Sequence, residues 1–205
     1  MTRLLAPGGG YEIINYPTCE IKDDDNNTSF LHITPEAWQN ANVIITSIRQ
    51  NRGKFISGCV DVENYLGQAI SYFFFKEDPT NREMLHNFIL DTTVFSFSQK
   101  RKVLQRIMET YPERFESFSN QSRQEMFDKI NYLIKTRNIF AHGEMIIDFK
   151  EDKAYLRYYD SMTNQKAEII VSMELFESLK KKTEAVISDL LIIIPEPRFT
   201  AMRFG

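Results

Sequence analysis

The stretch SRQEMFDKINYLIKTRNIFAHG, at residues 122–143, is the most informative part of this 205-residue sequence. Its apolar residues recur at spacings of three and four, which is the period of one face of an α-helix. That stripe consists of Met126, Phe127, Ile130, Leu133, Ile134 and Ala141. Gly143 is placed as the residue that ends the helix. The pattern therefore predicts an amphipathic helix over about residues 122–142 that packs one face against a core.

Helical patterns also precede this stretch. Thr34, Pro35 and Glu36 supply the hydroxyl, proline and acid that favour a helix start. We expect this first helix to end near Arg49 and Gly53 to break it. The same apolar spacing predicts three more helices, over about residues 57–76, 81–91 and 98–110.

The pattern changes after Gly143. Short runs typical of strands follow at residues 145–150, 154–159 and 166–171, with polar turns between them. Ser172 is then expected to cap a last helix, which Pro195 stops. The predicted fold class is mainly α: an antiparallel helical bundle with a small three-stranded antiparallel β-sheet inserted before the last helix.

The predicted organisation has one main domain. Residues 35–194 form the helical domain, which includes the β insert at about residues 145–171. Residues 1–34 form an irregular leader, in which residues 11–14 and 19–21 are candidate short strands. Residues 195–205 form a tail.

The bulk composition is that of an ordinary globular protein, with 42% hydrophobic and 26% charged residues. The net charge of -3 and the pI of about 5.7 argue against a broad nucleic-acid-binding face, so any basic site must be local. Cys19 and Cys59 are the two cysteines, and they show no zinc-binding spacing. We therefore expect no metal, no cofactor, no membrane association and a location in the reducing cytoplasm.

The end of the informative helix carries three groups suited to RNA chemistry. Arg137 follows Leu133 by four residues, so it leans toward the apolar stripe, whereas Asn138 and His142 share one helix edge. RNA cleavage by the 2′-hydroxyl needs proton transfer at two oxygens and stabilisation of the phosphorane. Histidine suits the proton transfers, and the arginine fork suits two phosphate oxygens. The chemistry requires no metal.

An arginine, four intervening residues and a histidine, with a polar residue directly after the arginine, resembles the active motif of the HEPN superfamily. Here the motif is Arg137, Asn138 and His142. The resemblance covers about residues 35–194 and implies a HEPN-like helical bundle. It also implies a homodimer whose two motifs face a shared cleft and a metal-independent endoribonuclease that leaves 2′,3′-cyclic phosphate ends. A toxin or phage-defence role with a cognate antitoxin or regulatory protein is the setting that it suggests.

Two other interpretations stay open. The chain is alternatively a non-catalytic HEPN-like module that binds RNA, nucleotide or a partner protein. In a third interpretation it is a helical regulatory protein in which Arg137 is purely structural.

Further residues complete the predicted site. Glu63 lies beside the apolar stripe of its helix, and we expect it to meet Arg137 across the bundle and orient it. Four basic residues are expected on the outer face of the helix over residues 98–110 and are candidates for an RNA path; a solvated helix face is the competing interpretation. They are Lys100, Arg101, Lys102 and Arg106.

Overall fold

The computed structural model describes residues 3–5, 18–22, 28–32, 34–92, 95–148, 153–160 and 163–194. The fold is mainly helical, with a small antiparallel sheet before the last helix, as predicted. The α-helices are α1 (Pro35–Phe74), α2 (Pro79–Leu85), α3 (Phe97–Thr110), α4 (Asn120–His142) and α5 (Met173–Ile193). No described helix combines the length and the apolar character that a bilayer-spanning segment needs.

The first predicted helix and the second are one element. α1 runs for 40 residues without interruption, so the predicted break at Gly53 is wrong. Glycine costs only about 1 kcal/mol relative to alanine inside a helix, which the residues on either side of it offset by burial. An added Cβ at Gly53 would meet no described atom within 4 Å, so nothing packs there that requires a glycine.

The segment between α1 and α4 is built from short, well-capped pieces. Asp78 caps α2 by accepting a hydrogen bond from the backbone of Asn81 at 3.0 Å, and α2 continues directly into a π-helical turn at His86–Leu90. Ser96 and Gln99 form a reciprocal capping box at the start of α3. The helices predicted over residues 81–91 and 98–110 correspond to these elements.

A 3₁₀ turn at Pro112–Phe115 follows α3, and Arg123 from α4 holds it. The Arg123 guanidinium donates to four backbone carbonyls: Met108 and Phe118 at 3.1 Å, and Pro112 and Phe115 at 3.4 Å. The end of an α-helix leaves carbonyls without intrahelical partners, and a rigid fork of five donors satisfies several at once. Arg123 therefore fixes the path of the chain between α3 and α4.

The sheet before α5 contains the three predicted strands, β4 (Glu144–Asp148), β5 (Lys153–Asp160) and β6 (Gln165–Val171). A fourth strand, β1 (Arg3–Leu5), pairs antiparallel with β4, which gives the order β1-β4-β5-β6. β2 (Thr18–Lys22) and β3 (Thr28–His32) form a separate hairpin. The leader is thus more regular than predicted: β2 contains the strand expected at residues 19–21, while the strand expected at residues 11–14 lies outside the described residues.

The chain divides into two compact units. Unit 1 is Met1–Gly53 with Ile139–Phe176, and unit 2 is Lys54–Asn138 with Glu177–Gly205. Unit 1 buries apolar side chains of its sheet, among them Ile146, Leu156 and Val171. The rings of Phe140 and Phe176 also pack together in unit 1, tilted against each other with their centroids 5.4 Å apart. Unit 2 has an all-helical core drawn from α1, α3, α4 and α5. Its fully buried members include Leu66, Ile70, Leu104, Met108, Met126, Ile130, Leu133, Leu179 and Leu190.

Candidate functional site

The predicted motif lies on the last two turns of α4. Arg137 is half-buried, whereas Asn138 and His142 are exposed. The Arg137 Nη1 donates a long hydrogen bond, 3.5 Å, to the side-chain oxygen of its neighbour Asn138. The Arg137 guanidinium is therefore tied to an exposed amide, and the His142 imidazole is exposed at the last residue of the helix.

Gly143, directly after the last residue of α4, is closely packed. The Gly143 amide donates to the Ile139 carbonyl at 2.7 Å. A Cβ on Gly143 would lie 2.5 Å from that same carbonyl oxygen and 3.4 Å from the Arg157 carbonyl oxygen. No side chain fits at such a distance from a backbone atom, so glycine is required there, and His142 is the last helical residue.

Arg52 is a further residue at this helix end, and sequence reasoning missed it. Its Nη2 donates to the Ala141 carbonyl at 3.1 Å, within unit 1. A cation at a helix C-terminus interacts favourably with the helix dipole and satisfies one of the carbonyls left unpaired there. Arg52 lies 89 positions before Ala141, and no local sequence signal links the two.

Glu63, expected to orient Arg137, forms an ion pair with Lys100. The Lys100 Nζ donates to the Glu63 carboxylate at 3.2 Å, and the exposed fractions of the two side chains are 3% and 23%. Lys100 was expected on the outer face of α3, and that prediction is wrong. The paired carboxylate stabilises the ammonium, which lets the aliphatic part of the lysine pack in the core of unit 2.

The remaining basic residues of the predicted RNA path have different environments. Lys102 and Arg106 are exposed, and Arg106 lies 4.0 Å from Glu109 on the next turn. Arg101 is half-buried and donates to the Gln105 side chain at 2.8 Å. The surface of α3 therefore offers at most three of the four predicted cations.

Cys59 lies within electrostatic reach of both Glu63 and Arg137. Burial raises the pKa of its thiol to about 12, with Arg137 lowering this pKa and Glu63 raising it by smaller amounts. The guanidinium and the carboxylate thus act on the same buried sulfur of unit 2. Their common electrostatic effect on the Cys59 thiol is what connects Arg137 and Glu63 in the described part of the chain.

A separate aromatic cavity occupies one end of unit 2. It has a volume of about 780 Å³ and lies where the end of α1, the turn that follows it, the 3₁₀ segment and the end of α5 meet. Its wall includes Phe73, Phe74, Arg114, Phe115 and Ile192. Sequence reasoning did not foresee this cavity.

Comparison with known proteins leaves the site to be interpreted from its own chemistry. No protein-family model matches the chain, and no curated protein or solved structure is significantly similar to it. Among the described residues there is also no group of three or more histidine, cysteine, aspartate or glutamate side chains arranged to hold a metal ion.

Proposed function

We propose that this chain is a HEPN-like endoribonuclease that cleaves RNA through Arg137, Asn138 and His142. The observation that carries the proposal is the placement of the three residues on the final turns of one helix, two of them exposed and the third half-buried. A guanidinium and an imidazole are the groups that stabilise phosphorane charge and transfer protons in such a reaction.

The proposed reaction is attack of an RNA 2′-hydroxyl on the adjacent phosphorus. The hydroxyl loses its proton to a base, the bond from phosphorus to the 5′-oxygen breaks, and that oxygen receives a proton from an acid. Arg137 stabilises the negative charge of the phosphorane through two N–H groups, and Asn138 positions the guanidinium. The products are a 2′,3′-cyclic phosphate and a free 5′-hydroxyl.

A homodimer fits this reaction better than a single chain. One imidazole cannot serve two oxygens on opposite sides of phosphorus at once, whereas a twofold axis brings a second His142. We propose that the base and the acid come from the two copies. The setting that we propose is cytoplasmic, in a toxin or phage-defence role with an antitoxin or regulatory protein as a further partner.

The competing function is a non-catalytic module of the same type that binds RNA, nucleotide or a partner protein. Two observations favour the forms of this module that bind a nucleotide or a partner protein. The chain carries a net charge of -3, and Lys100 is buried in an ion pair and thus unavailable to an RNA backbone. Phosphate contacts supply much of the affinity for nucleic acids, so few free cations mean weak binding of RNA.

An RNA cleavage assay in EDTA separates the two functions. The wild-type protein is incubated with single-stranded and structured RNA beside His142→Ala and Asn138→Ala, and the product ends are identified by mass spectrometry. Asn131→Ala is the matched control, because Asn131 is the same residue type on the same face of α4, about two turns earlier. We expect cleavage in EDTA with cyclic phosphate ends, loss in His142→Ala and retention in Asn131→Ala.

The opposite outcome is equally clear. Absence of cleavage across both RNA classes, or cleavage that persists in His142→Ala, rejects the catalytic proposal. Light scattering at micromolar concentration tests the homodimer, and a monomer there rejects the assignment of acid and base to two copies.

A further inference from the structure

The aromatic cavity of unit 2 has the dimensions and the lining of a small-molecule site. Ligand sites are typically clefts of roughly 300–1,000 Å³ with mainly apolar walls and a few polar groups, and this cavity measures about 780 Å³. Its residues are distinct from Arg137, Asn138 and His142. A test of ligand binding in this cavity is therefore independent of the test of RNA cleavage.

The apolar part of the wall is made of aromatic rings. Phe73 stacks nearly parallel on Phe115, with ring centroids 6.1 Å apart, and meets the edge of Phe74 at 5.1 Å. Phe74 is 56% exposed despite its large apolar ring. The exposed face of a ring next to a stacked pair offers a flat ligand both a surface to stack on and the release of ordered water.

Arg114 is an exposed arginine of the wall whose guanidinium contacts two aromatic rings. Its guanidinium lies over the rings of Phe73 and Tyr111, 5.0 and 5.9 Å from their centroids. Among the residues that the structure describes, no carboxylate or other side-chain acceptor is bonded to it. A cation over a ring uses none of its N–H groups in that contact, so the solvent-facing N–H groups of Arg114 can bind a carboxylate or sulfonate in place of water.

The two acidic residues of the wall, Glu77 and Asp78, are not bonded to Arg114. Asp78 is committed to the start of α2, where it accepts from the backbone nitrogen and the side-chain nitrogen of Asn81 at 3.0 and 2.6 Å. These hydrogen bonds hold the pKa of Asp78 below its ordinary value. Glu77 and Lys76, the other charged residues of this turn, are both exposed.

The wall that carries Arg114 is held firmly in place. Arg123 donates to the carbonyl of Phe115, which directly follows Arg114 on the same turn, and to that of Phe118, three residues further on. A site whose walls are fixed before binding loses less conformational entropy when a ligand arrives. The backbone that carries Arg114 and Phe115 is therefore fixed before a ligand binds.

We propose that this cavity binds an amphipathic organic anion, a small molecule with a flat aromatic body and one acidic group. The body lies between Phe74 and Ile192, and the acidic group accepts hydrogen bonds from the edge of the Arg114 guanidinium. Such a ligand contacts both the aromatic rings and the Arg114 guanidinium, whereas a purely apolar compound or a simple anion contacts only one of them.

Two fluorescent probes test the proposal on the full chain. Anilinonaphthalene sulfonate has a flat aromatic body with one acidic group, and phenylnaphthylamine has the same body without the acid. Each is titrated into the wild-type protein, Arg114→Gln, Phe74→Ser and Arg106→Gln. Arg106 is the matched control because it is an exposed arginine that lies outside the cavity wall.

The expected effect on binding differs between the two probes and between the three variants. Arg114→Gln weakens binding of the sulfonate by about 10- to 100-fold, the equivalent of a charge-assisted hydrogen-bond pair, and changes binding of the neutral probe by about twofold or less. Phe74→Ser weakens binding of both probes, and Arg106→Gln changes neither. Circular dichroism confirms that each variant keeps its helical content.

Other results overturn the proposal. If the wild-type protein binds neither probe, the cavity is not a site for this ligand class. An equal loss of both probes in Arg114→Gln rejects the role of the guanidinium in recognising an acidic group. If Arg106→Gln weakens binding of the sulfonate as much as Arg114→Gln does, the probe responds to surface charge rather than to the cavity.

Discussion

Replacing Glu63 by leucine leaves the Lys100 ammonium without its counter-ion in the interior of unit 2. The reverse change, Lys100→Met, leaves the Glu63 carboxylate without its cation. The two single variants are not equivalent, because the side chain of Lys100 is 3% exposed and that of Glu63 is 23% exposed. Water reaches the stranded carboxylate but barely reaches the stranded ammonium.

The magnitudes follow from this asymmetry. Breaking a buried ion pair by removing one partner costs about 3–5 kcal/mol of the free energy of unfolding, and we expect Glu63→Leu to fall in that range. For Lys100→Met we expect about 1–3 kcal/mol, because the remaining carboxylate keeps part of its hydration. The double variant removes both charges and replaces them by apolar groups of similar volume. It should be more stable than either single variant.

Urea denaturation of the four proteins gives the free energies of unfolding and closes a double-mutant cycle. The reasoning predicts a coupling energy of several kcal/mol and a larger loss in Glu63→Leu than in Lys100→Met. Losses of under about 1 kcal/mol that add within about 0.5 kcal/mol would mean that the pair is solvated like an ordinary surface ion pair. The placement of Lys100 inside unit 2 would then be refuted.

Two further predictions concern single side chains. Arg123→Met removes the donors to four carbonyls around the 3₁₀ turn. We therefore expect urea denaturation to show a loss of about 2–4 kcal/mol in the free energy of unfolding. A loss below about 1 kcal/mol would contradict the structural role of this arginine. In a Cys19→Ser background, alkylation of Cys59 at pH 8 should be at least about 100-fold slower in native buffer than in concentrated urea, because the side chain is 1% exposed and burial raises its pKa to about 12, which leaves little of the reactive thiolate. A native rate within about tenfold of the unfolded rate would show an ordinary, accessible thiol.

Periodicity predicted those parts of the fold that repeat a local pattern. The stripe of residues 122–142 predicts α4 to within two residues at its start and at the correct end. Ser172 was expected to cap the last helix, and its hydroxyl accepts from the Leu175 amide at 3.2 Å. These features depend on residues three or four apart, so the sequence displays both members of each interaction.

The features that could not be predicted depend on distant partners. Glu63 lies 37 positions before Lys100, and Arg52 lies 89 positions before Ala141. A lysine within a run of basic residues is normally interpreted as a solvated group, and only the location of a distant carboxylate reverses that interpretation. The pairing of β1 with β4 is of the same kind, since its register joins Arg3 to Asp148.

The pairing of Glu63 with Lys100 also bears on the choice between a functional and a purely structural Arg137. The structural interpretation needs an acid to compensate a half-buried guanidinium, and Glu63 was its candidate. That carboxylate is bonded to Lys100, and the described side-chain hydrogen bond of Arg137 goes to the neutral amide of Asn138. An amide compensates a full positive charge only in part. Glu63 was also expected to orient Arg137 in the functional interpretation, so its pairing with Lys100 removes the same acid from both, and the RNA cleavage assay decides between them.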